Sequence, residues 1–145
     1  MKKILLVLVA LFLVLLAFAE TTSSTPNQKA STIRWQPYSQ AFAQAQKQNK
    51  LVYVYIGSDT CYYCKKMEQE TFTDKNVISV LNNNYIATEI NIDKNPSLAS
   101  QFNVQGTPVS VFITPNQKII GQIPGYLPSK DFISALNYVT KKYTP

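Results

Sequence analysis

Histidine is absent from the 145 residues. That excludes Ser-His-Asp and Cys-His catalysis, His-ligated metal centres and c-type haem attachment, which needs a His after C-x-x-C. Cysteine occurs only twice, at Cys61 and Cys64. Two thiolates three positions apart cannot alone complete a four-ligand zinc site. They allow one bridge at most, so the chain is not a disulfide-stapled scaffold. Charged residues are also few, at 15% against about 25% in an average soluble domain. No run of Lys or Arg marks a nucleic-acid surface, and the net charge of +6 describes a mildly basic, solvated exterior. The hydrophobic content of 46% excludes a disordered chain. What gains from these exclusions is a dithiol that cycles to a disulfide, with no cofactor and no metal.

Lys2 and Lys3 precede an uninterrupted apolar run from Ile4 to Phe18, and Ala17-Phe18-Ala19 supplies small residues where a signal peptidase reads. Residues 1–19 are expected to be a signal peptide cleaved after Ala19. The rival is a retained membrane anchor, but a spanning helix needs about 20 apolar residues and this run is shorter. The segment has no Cys, which excludes a lipoprotein anchor. Cleavage removes two lysines and leaves a charge of +4. Export to the periplasm or beyond would place both cysteines where disulfides persist.

Residues 20–31 (ETTSSTPNQKAS) read as a flexible leader, and 32–145 as a single folded domain. Within it the elements alternate. Pro37 to Asn49 reads as a helix with Pro37 in its first position and Tyr38, Phe42 and Ala45 on one face. Leu51 to Ile56 is a continuous apolar, β-branched and aromatic run ended by Gly57, which suits a strand buried on both faces. Ser58 or Asp59 is placed to cap a helix beginning near Cys61. A second helical segment covers Asn76 to Leu81. Tyr85 to Ile92 reads as a strand, and Asn95-Pro96 opens a short helix to about Phe102. Val109 to Ile113 and Lys118 to Gln122 read as antiparallel strands. Ser129 caps a last helix to about Lys141, with Phe132, Leu136 and Val139 as its apolar stripe. The order is roughly βαβαβαββα, an α/β fold with a central mixed sheet flanked by helices.

Cys61-Tyr62-Tyr63-Cys64 therefore sits where a buried strand feeds a helix. Unpaired N–H groups at a helix start favour an anion, here the thiolate of Cys61, the form that attacks disulfides. Cys64, one turn further in, is expected to be more buried and to resolve the mixed disulfide.

Residues 35 to 140 resemble the thioredoxin superfamily. The matching stretches are 50–56 (KLVYVYI), 61–67 (CYYCKKM), 91–96 (NIDKNP), 104–108 (VQGTP) and Gly125, in the family's order and spacing. The run 64–72 (CKKMEQETF), with Asp74 and Val77, is most similar to the C-terminal domain of DsbD-type membrane reductases and to small exported SoxW-like thioredoxins. The resemblance implies a thioredoxin fold over 32–145 and a cis Thr107–Pro108 peptide facing the dithiol. It further implies that the Thr107 backbone pairs with an extended substrate segment. Read without the family, Pro108 is equally an ordinary trans proline opening a strand.

Several positions depart from the family pattern. The buried Asp six residues before the first cysteine is Tyr55, and a Lys of the neighbouring strand is Glu89. Trp before the first cysteine is Thr60, and the Gly-Pro between the cysteines is Tyr62-Tyr63. Without the Asp, another carboxylate must take the Cys64 proton. Glu68, i+4 from Cys64 and matching a functional glutamate of the DsbD C-terminal domain, is one candidate. Glu89, hydrogen-bonded to the Tyr55 hydroxyl, is the other. Tyr62 and Tyr63 offer a platform for substrate or pack on the domain surface. Trp35 is expected to anchor the core or a sheet edge.

The leading functional expectation is an exported, monomeric thiol:disulfide oxidoreductase. Cys61 attacks and Cys64 resolves, and disulfide-containing proteins are the substrates. Similarity to reductase domains implies reduction, fed by a membrane thiol donor of DsbD or CcdA type. The absence of a basic residue between the cysteines also disfavours a strong oxidant. Thr before Pro108 points the other way, toward oxidising and isomerising relatives. Outside enzymes, the alternatives are a Cu(I)-binding dithiol and a redox-inert thioredoxin-like binding module.

Overall fold

The run Leu51–Gly57 forms strand β1, and all seven of its residues are buried. Such a strand must be covered on both faces and both edges. In the computed structural model, which describes residues 32–143, it is. Strand β2 (Tyr85–Asn91) pairs with it in parallel and β3 (Val109–Ile113) antiparallel. Strand β4 (Ile119–Pro124) adds antiparallel to β3, giving the order β2-β1-β3-β4. The expected signal segment 1–19 and leader 20–31 lie outside the described residues.

Alternation along β1 divides the core in two. Val52, Val54 and Ile56 share one cluster with Ala41 and Ala45 of helix α1 (Tyr38–Gln48) and with Ala99 and Phe102. Leu51, Tyr53 and Tyr55 meet the opposite layer. That layer is built from α2 (Tyr62–Lys66), a π-helical turn (Met67–Thr71) and α3 (Lys75–Asn84), and after the short α4 (Pro96–Ser100) the chain returns to it in α5 (Ser129–Tyr143). On the α5 side, fully buried Phe132 and Leu136 carry the apolar stripe. Asp74 caps α3, accepting from the N–H groups of Asn76 at 2.7 Å and Val77 at 3.2 Å. This cap starts α3 at Lys75, and the helix runs three residues past the expected Leu81.

Four further expectations shift. The leading strand of the anticipated order is reduced to one bridge, Trp35 with Ala87. Trp35 nevertheless anchors that edge, packing edge-on against Phe72 at 5.4 Å between centroids. Pro37 precedes α1 rather than entering it, because its extended ψ of 135° leaves its carbonyl to accept from Gln40 and Ala41. Strand β4 runs from Ile119 to Pro124, later than the Lys118–Gln122 expected, since the Lys118 carbonyl is used in the turn, where it accepts the Thr114 N–H. Helix α4 stops at Ser100, short of Phe102.

Candidate active site: the Cys61–Cys64 pair and its flanks

Gly57 is the last residue of β1, and a Cβ there would come within 3.1 Å of the Tyr55 ring. The chain then crosses Ser58–Thr60, a loop tied to the segment after β2. Asp93 accepts from Ser58 Oγ and from the Asp59 amide, each at 2.8 Å. Those hydrogen bonds hold the Asp93 carboxyl below the usual range. Asn91 donates to Asp59 at 2.7 Å, and Lys94 pairs with Asp59 at 3.5 Å.

Cys61 follows as the N-cap of α2. Its Sγ accepts the Cys64 N–H at 3.0 Å, and the two cysteines form a disulfide. The expectation that Ser58 or Asp59 caps this helix is corrected. Their polar atoms are engaged with Asp93 and Asn91, and the sulfur stands nearest to the free amide. Cys64 is fully buried while Cys61 is partly exposed, the asymmetry expected of an attacking and a resolving thiol. Helix α2 has only five residues, and one N–H, that of Cys64, is donated to the Cys61 sulfur.

The π turn follows at once, with the Phe72 amide donating to the Met67 carbonyl at 2.9 Å. It carries two glutamates. Glu68 accepts from the Tyr55 hydroxyl at 3.1 Å, and Glu70 accepts from the Tyr126 hydroxyl at 2.6 Å. Tyr55 faces Glu89 in the β1–β2 register, but its hydroxyl goes to Glu68. The expected Tyr55–Glu89 hydrogen bond is therefore not formed: the hydroxyl points off the sheet plane toward the helix layer. Tyr55 is held protonated, its pKa pushed far above the ordinary phenol range by burial and then by the Glu68 charge. Glu89 retains an exposed side. Its carboxyl is raised by partial desolvation and by Glu68, against an opposing pull from Lys94. Two clefts, of about 450 and 370 Å³, meet at Tyr55, Glu68 and Glu89 and give water a path to both carboxylates.

The Thr107–Pro108 peptide is cis. Pro108 is buried, Thr107 is half-buried, and the Pro108 carbonyl accepts the Gly125 N–H at 2.8 Å. Gly125 has φ +88°, a conformation that favours glycine. A groove of about 410 Å³ runs beside this loop, past Val104, Thr107, Pro108 and Pro124, and no charged residue lines it. Tyr62 and Tyr63 stand out from the dithiol at 72% and 56% exposure. Their rings are 5.3 Å apart, and the Tyr63 ring lies 6.4 Å from that of Tyr126.

Thus Cys61, Cys64, Glu68, Tyr62 and Tyr63 share one short stretch, and Glu89 reaches it across the sheet. Tyr126, Glu70 and Asp93 escape a reading of the sequence for site residues. Asp93 does lie inside a family-like stretch, which is a signal that could have found it. Tyr126 follows the noted Gly125, but only the folded loop brings it to the dithiol helix. Among the described residues, no helix is long and apolar enough to cross a membrane.

A family model for a thioredoxin-like domain matches residues 38–140. A solved thioredoxin from Thermus thermophilus is 31% identical, with a TM-score of 0.69, and the match covers 77% of this chain and 89% of that one. The DsbH oxidoreductase is similar in fold, with a TM-score of 0.68 at 20% identity over 86% of this chain and 96% of that one. Spermatogenesis-associated protein 20 of Rattus norvegicus is 29% identical over 118 residues, or 74% of this chain. The chain spans about 15% of the length of the curated relatives it matches.

Proposed function

The chain belongs to the thioredoxin-like domain family, with a Cys61–Cys64 pair in a disulfide-oxidoreductase fold, and from that premise we propose that it reduces protein disulfides outside the cytoplasm. One observation carries the reading: a disulfide joins a partly exposed Cys61 to a fully buried Cys64 at the head of a helix. In the reduced protein the Cys61 thiolate attacks one sulfur of the client disulfide. A Cys61–client mixed disulfide forms, and the first client thiolate leaves. Cys64 then gives up its proton and attacks Cys61 Sγ. The Cys61–Cys64 disulfide closes, and the second client thiolate leaves and is protonated. The client gains two electrons and two protons. The protein returns to its dithiol by exchange with a second, electron-donating dithiol, for which a membrane thiol transporter of DsbD or CcdA type is the proposed source.

Glu68 is the proposed acceptor of the Cys64 proton. It opens onto a solvent-accessible cleft, and Tyr55, which shares the buried cluster of Cys64, donates to it and orients it. Thr107 and Pro108 are the proposed wall for an extended client segment, beside the uncharged groove. The direction of transfer is supported by the lack of a basic residue between the cysteines. Tyr62 and Tyr63 carry no positive charge, and one amide caps Cys61. A strong oxidant needs a heavily stabilised thiolate.

The deciding measurement is the reduction potential of the pair, from free-thiol counts in glutathione or dithiothreitol buffers. A value near about −270 mV agrees with a reductase, and one near about −120 mV reverses the direction. Export with cleavage after Ala19 is part of the same reading, and the N-terminal sequence of the secreted protein tests it.

A further inference from the structure

Charge is divided between the two ends of the sheet. Of the eight acidic residues, all but Glu20, which lies outside the described residues, stand toward the end that bears the dithiol. Asp59 and Asp93 follow β1 and β2, and Glu68 and Glu70 are in the π turn. Asp74 and Asp131 are at the starts of α3 and α5, and Glu89 pairs in register with Tyr55. At the opposite end β1 and β2 begin and β3 finishes. Among the described residues that end holds no carboxylate, but it holds Arg34, Lys47, Lys50, Lys118, Lys141 and Lys142. Hydrogen bonds gather them there. Arg34 Nη2 and Lys50 Nζ both donate to the Asn82 carbonyl, at 2.9 and 3.2 Å. Gln46, beside Lys47, donates at 3.3 Å to the Pro115 carbonyl in the turn that leads to Lys118. Thr140, beside Lys141, donates at 2.9 Å to the hydroxyl of Tyr85, the first residue of β2.

Most of this charge is unanswered. Among the described residues the one ion pair, Lys94 with Asp59, is at the dithiol end. Helices α1, α3 and α5 all end among these cations. A helix C-terminus carries only about −0.5 charge, however, too little to balance them. The Lys50 ammonium is lowered by burial and then by Arg34, and the cleft of about 150 Å³ that the two line has no acidic wall. Exposed apolar groups share the face. Ile119 pairs with Ile113, and the Tyr138 and Tyr143 rings lie 5.5 and 5.3 Å from Lys142 Nζ. Cations interleaved with amphipathic rings suit a surface that is anionic outside and apolar beneath. The chain also enters the fold here, since the Thr32 carbonyl accepts from Asn82 at 2.9 Å. The sequence that carries the apolar run 4–18 is therefore joined to the domain at this face.

We propose that this basic end is a docking face for an anionic phospholipid surface, on which the domain sits with its dithiol turned away from the bilayer and toward clients. This goes beyond disulfide reduction and shares with the function proposed above only the export that brings the chain to a membrane. A nucleic acid offers the same negative charge without the apolar layer that the tyrosines and Ile119 would meet.

The test uses the chain from Glu20, the product expected of cleavage. It keeps every residue of both core clusters and lacks the apolar run that would enter any bilayer. Co-sedimentation compares vesicles of phosphatidylcholine alone with vesicles that also contain phosphatidylglycerol. Binding is expected only to the second, and it should weaken as salt rises. Each cation near an anionic leaflet tightens binding about fivefold, so Lys47→Gln, Lys118→Gln and Lys141→Gln together should weaken it about 100-fold. A charge-matched variant at the dithiol end, Lys66→Gln, Lys75→Gln and Lys130→Gln, should change it by less than about threefold in about 0.1 M salt, where the Debye length is about 10 Å. A nitroxide carried by the lipid should broaden the amides of Lys118, Lys142 and Tyr143 and spare those of Tyr62 and Tyr63. Equal binding to both vesicles, no binding, equal losses in the two triple variants, or broadening at Tyr62 and Tyr63 overturns the face. Displacement from the vesicles by a short DNA duplex at equal total charge also overturns it and assigns the cations to nucleic acid. None of these readings involves thiol exchange, so the reductase proposal stands or falls separately, on its reduction potential.

Discussion

Glu68 and Glu70 are two residues apart on the same π turn, and each accepts a hydrogen bond from a tyrosine hydroxyl. Yet the two pairs live in different surroundings. Tyr55 belongs to the buried cluster that contains Cys64, and its phenol is raised by burial first. Tyr126 is half-buried at the edge of that cluster, and its phenol is raised first by the Glu70 hydrogen bond itself. Residues two apart on a helical turn do not share a face, so one carboxylate turns toward the sheet and the other toward the β4–α5 loop. One chemical motif, used twice, therefore supports two tasks. The inner pair sits where a proton must move, and the outer pair holds a loop in place.

Substitution of each side should separate these tasks. The largest effect is expected from Glu68→Gln. A positioned general base contributes on the order of 10²–10⁴-fold, and with water as a substitute in the open cleft the loss is expected at the low end, about 10²-fold. The loss should fall on the resolving step, read as accumulation of the Cys61 mixed disulfide. Glu70→Gln should leave that step within about twofold, since an amide oxygen still accepts from Tyr126. If both variants behave alike, the division between inner and outer pairs is wrong. Tyr55→Phe should cost less, roughly tenfold in the resolving step, because Glu68 keeps its place but loses its orienting donor. Its stability cost should be about 1 kcal/mol, since water can satisfy the freed Glu68 oxygen. Tyr126→Phe should cost less than Tyr55→Phe, because the Glu70 carboxylate it frees stays in water. Chemical denaturation of the two Phe variants compares them directly.

The inner and outer regions also differ in how far the sequence reveals them. The apolar run of β1, its closing glycine and the C-x-x-C after it are local patterns, and they suffice to place both cysteines at a strand-to-helix junction. Glu68 is found by its i+4 spacing from Cys64, but it lies in the π turn beyond α2, so that spacing names the residue without placing its side chain. The hydrogen bond of Tyr55 is not legible: strand register pairs it with Glu89, but register brings residues opposite without saying where a phenol points. Tyr126 carries no such signal. Its place depends on three hydrogen bonds between the π turn and a loop more than fifty residues away. The π turn itself has no proline or glycine to announce it, and it displaces by one residue every side chain that helical periodicity would assign after Met67.

The smallest expected effect concerns the boundary of the inner region. Glu89 faces Tyr55 in the register and feels the Glu68 charge, and its pKa is raised in the folded protein. A carboxyl raised on folding binds its proton more tightly in the native state than in the unfolded chain. It therefore favours the fold at pH below the ordinary carboxylate pKa, and that contribution is lost as pH rises through the folded value. Glu89→Gln keeps the shape and removes the titration. The variant should match the parent in acid and become the more stable of the two once the pH passes the raised pKa. The gain should stay within the ~0.5 kcal/mol of a surface site, because Glu89 retains an exposed side and Lys94 offsets part of the repulsion. Melting temperatures across about pH 3 to 8, the span over which a carboxylate titrates, give the answer. A gain that persists in acid would locate the effect in packing, and no gain at any pH would mean that the Glu68 and Glu89 charges are fully screened. Adding Glu68→Gln supplies the sharper comparison: with the Glu68 charge removed, the benefit of Glu89→Gln should shrink, since only the desolvation of Glu89 is left to drive it.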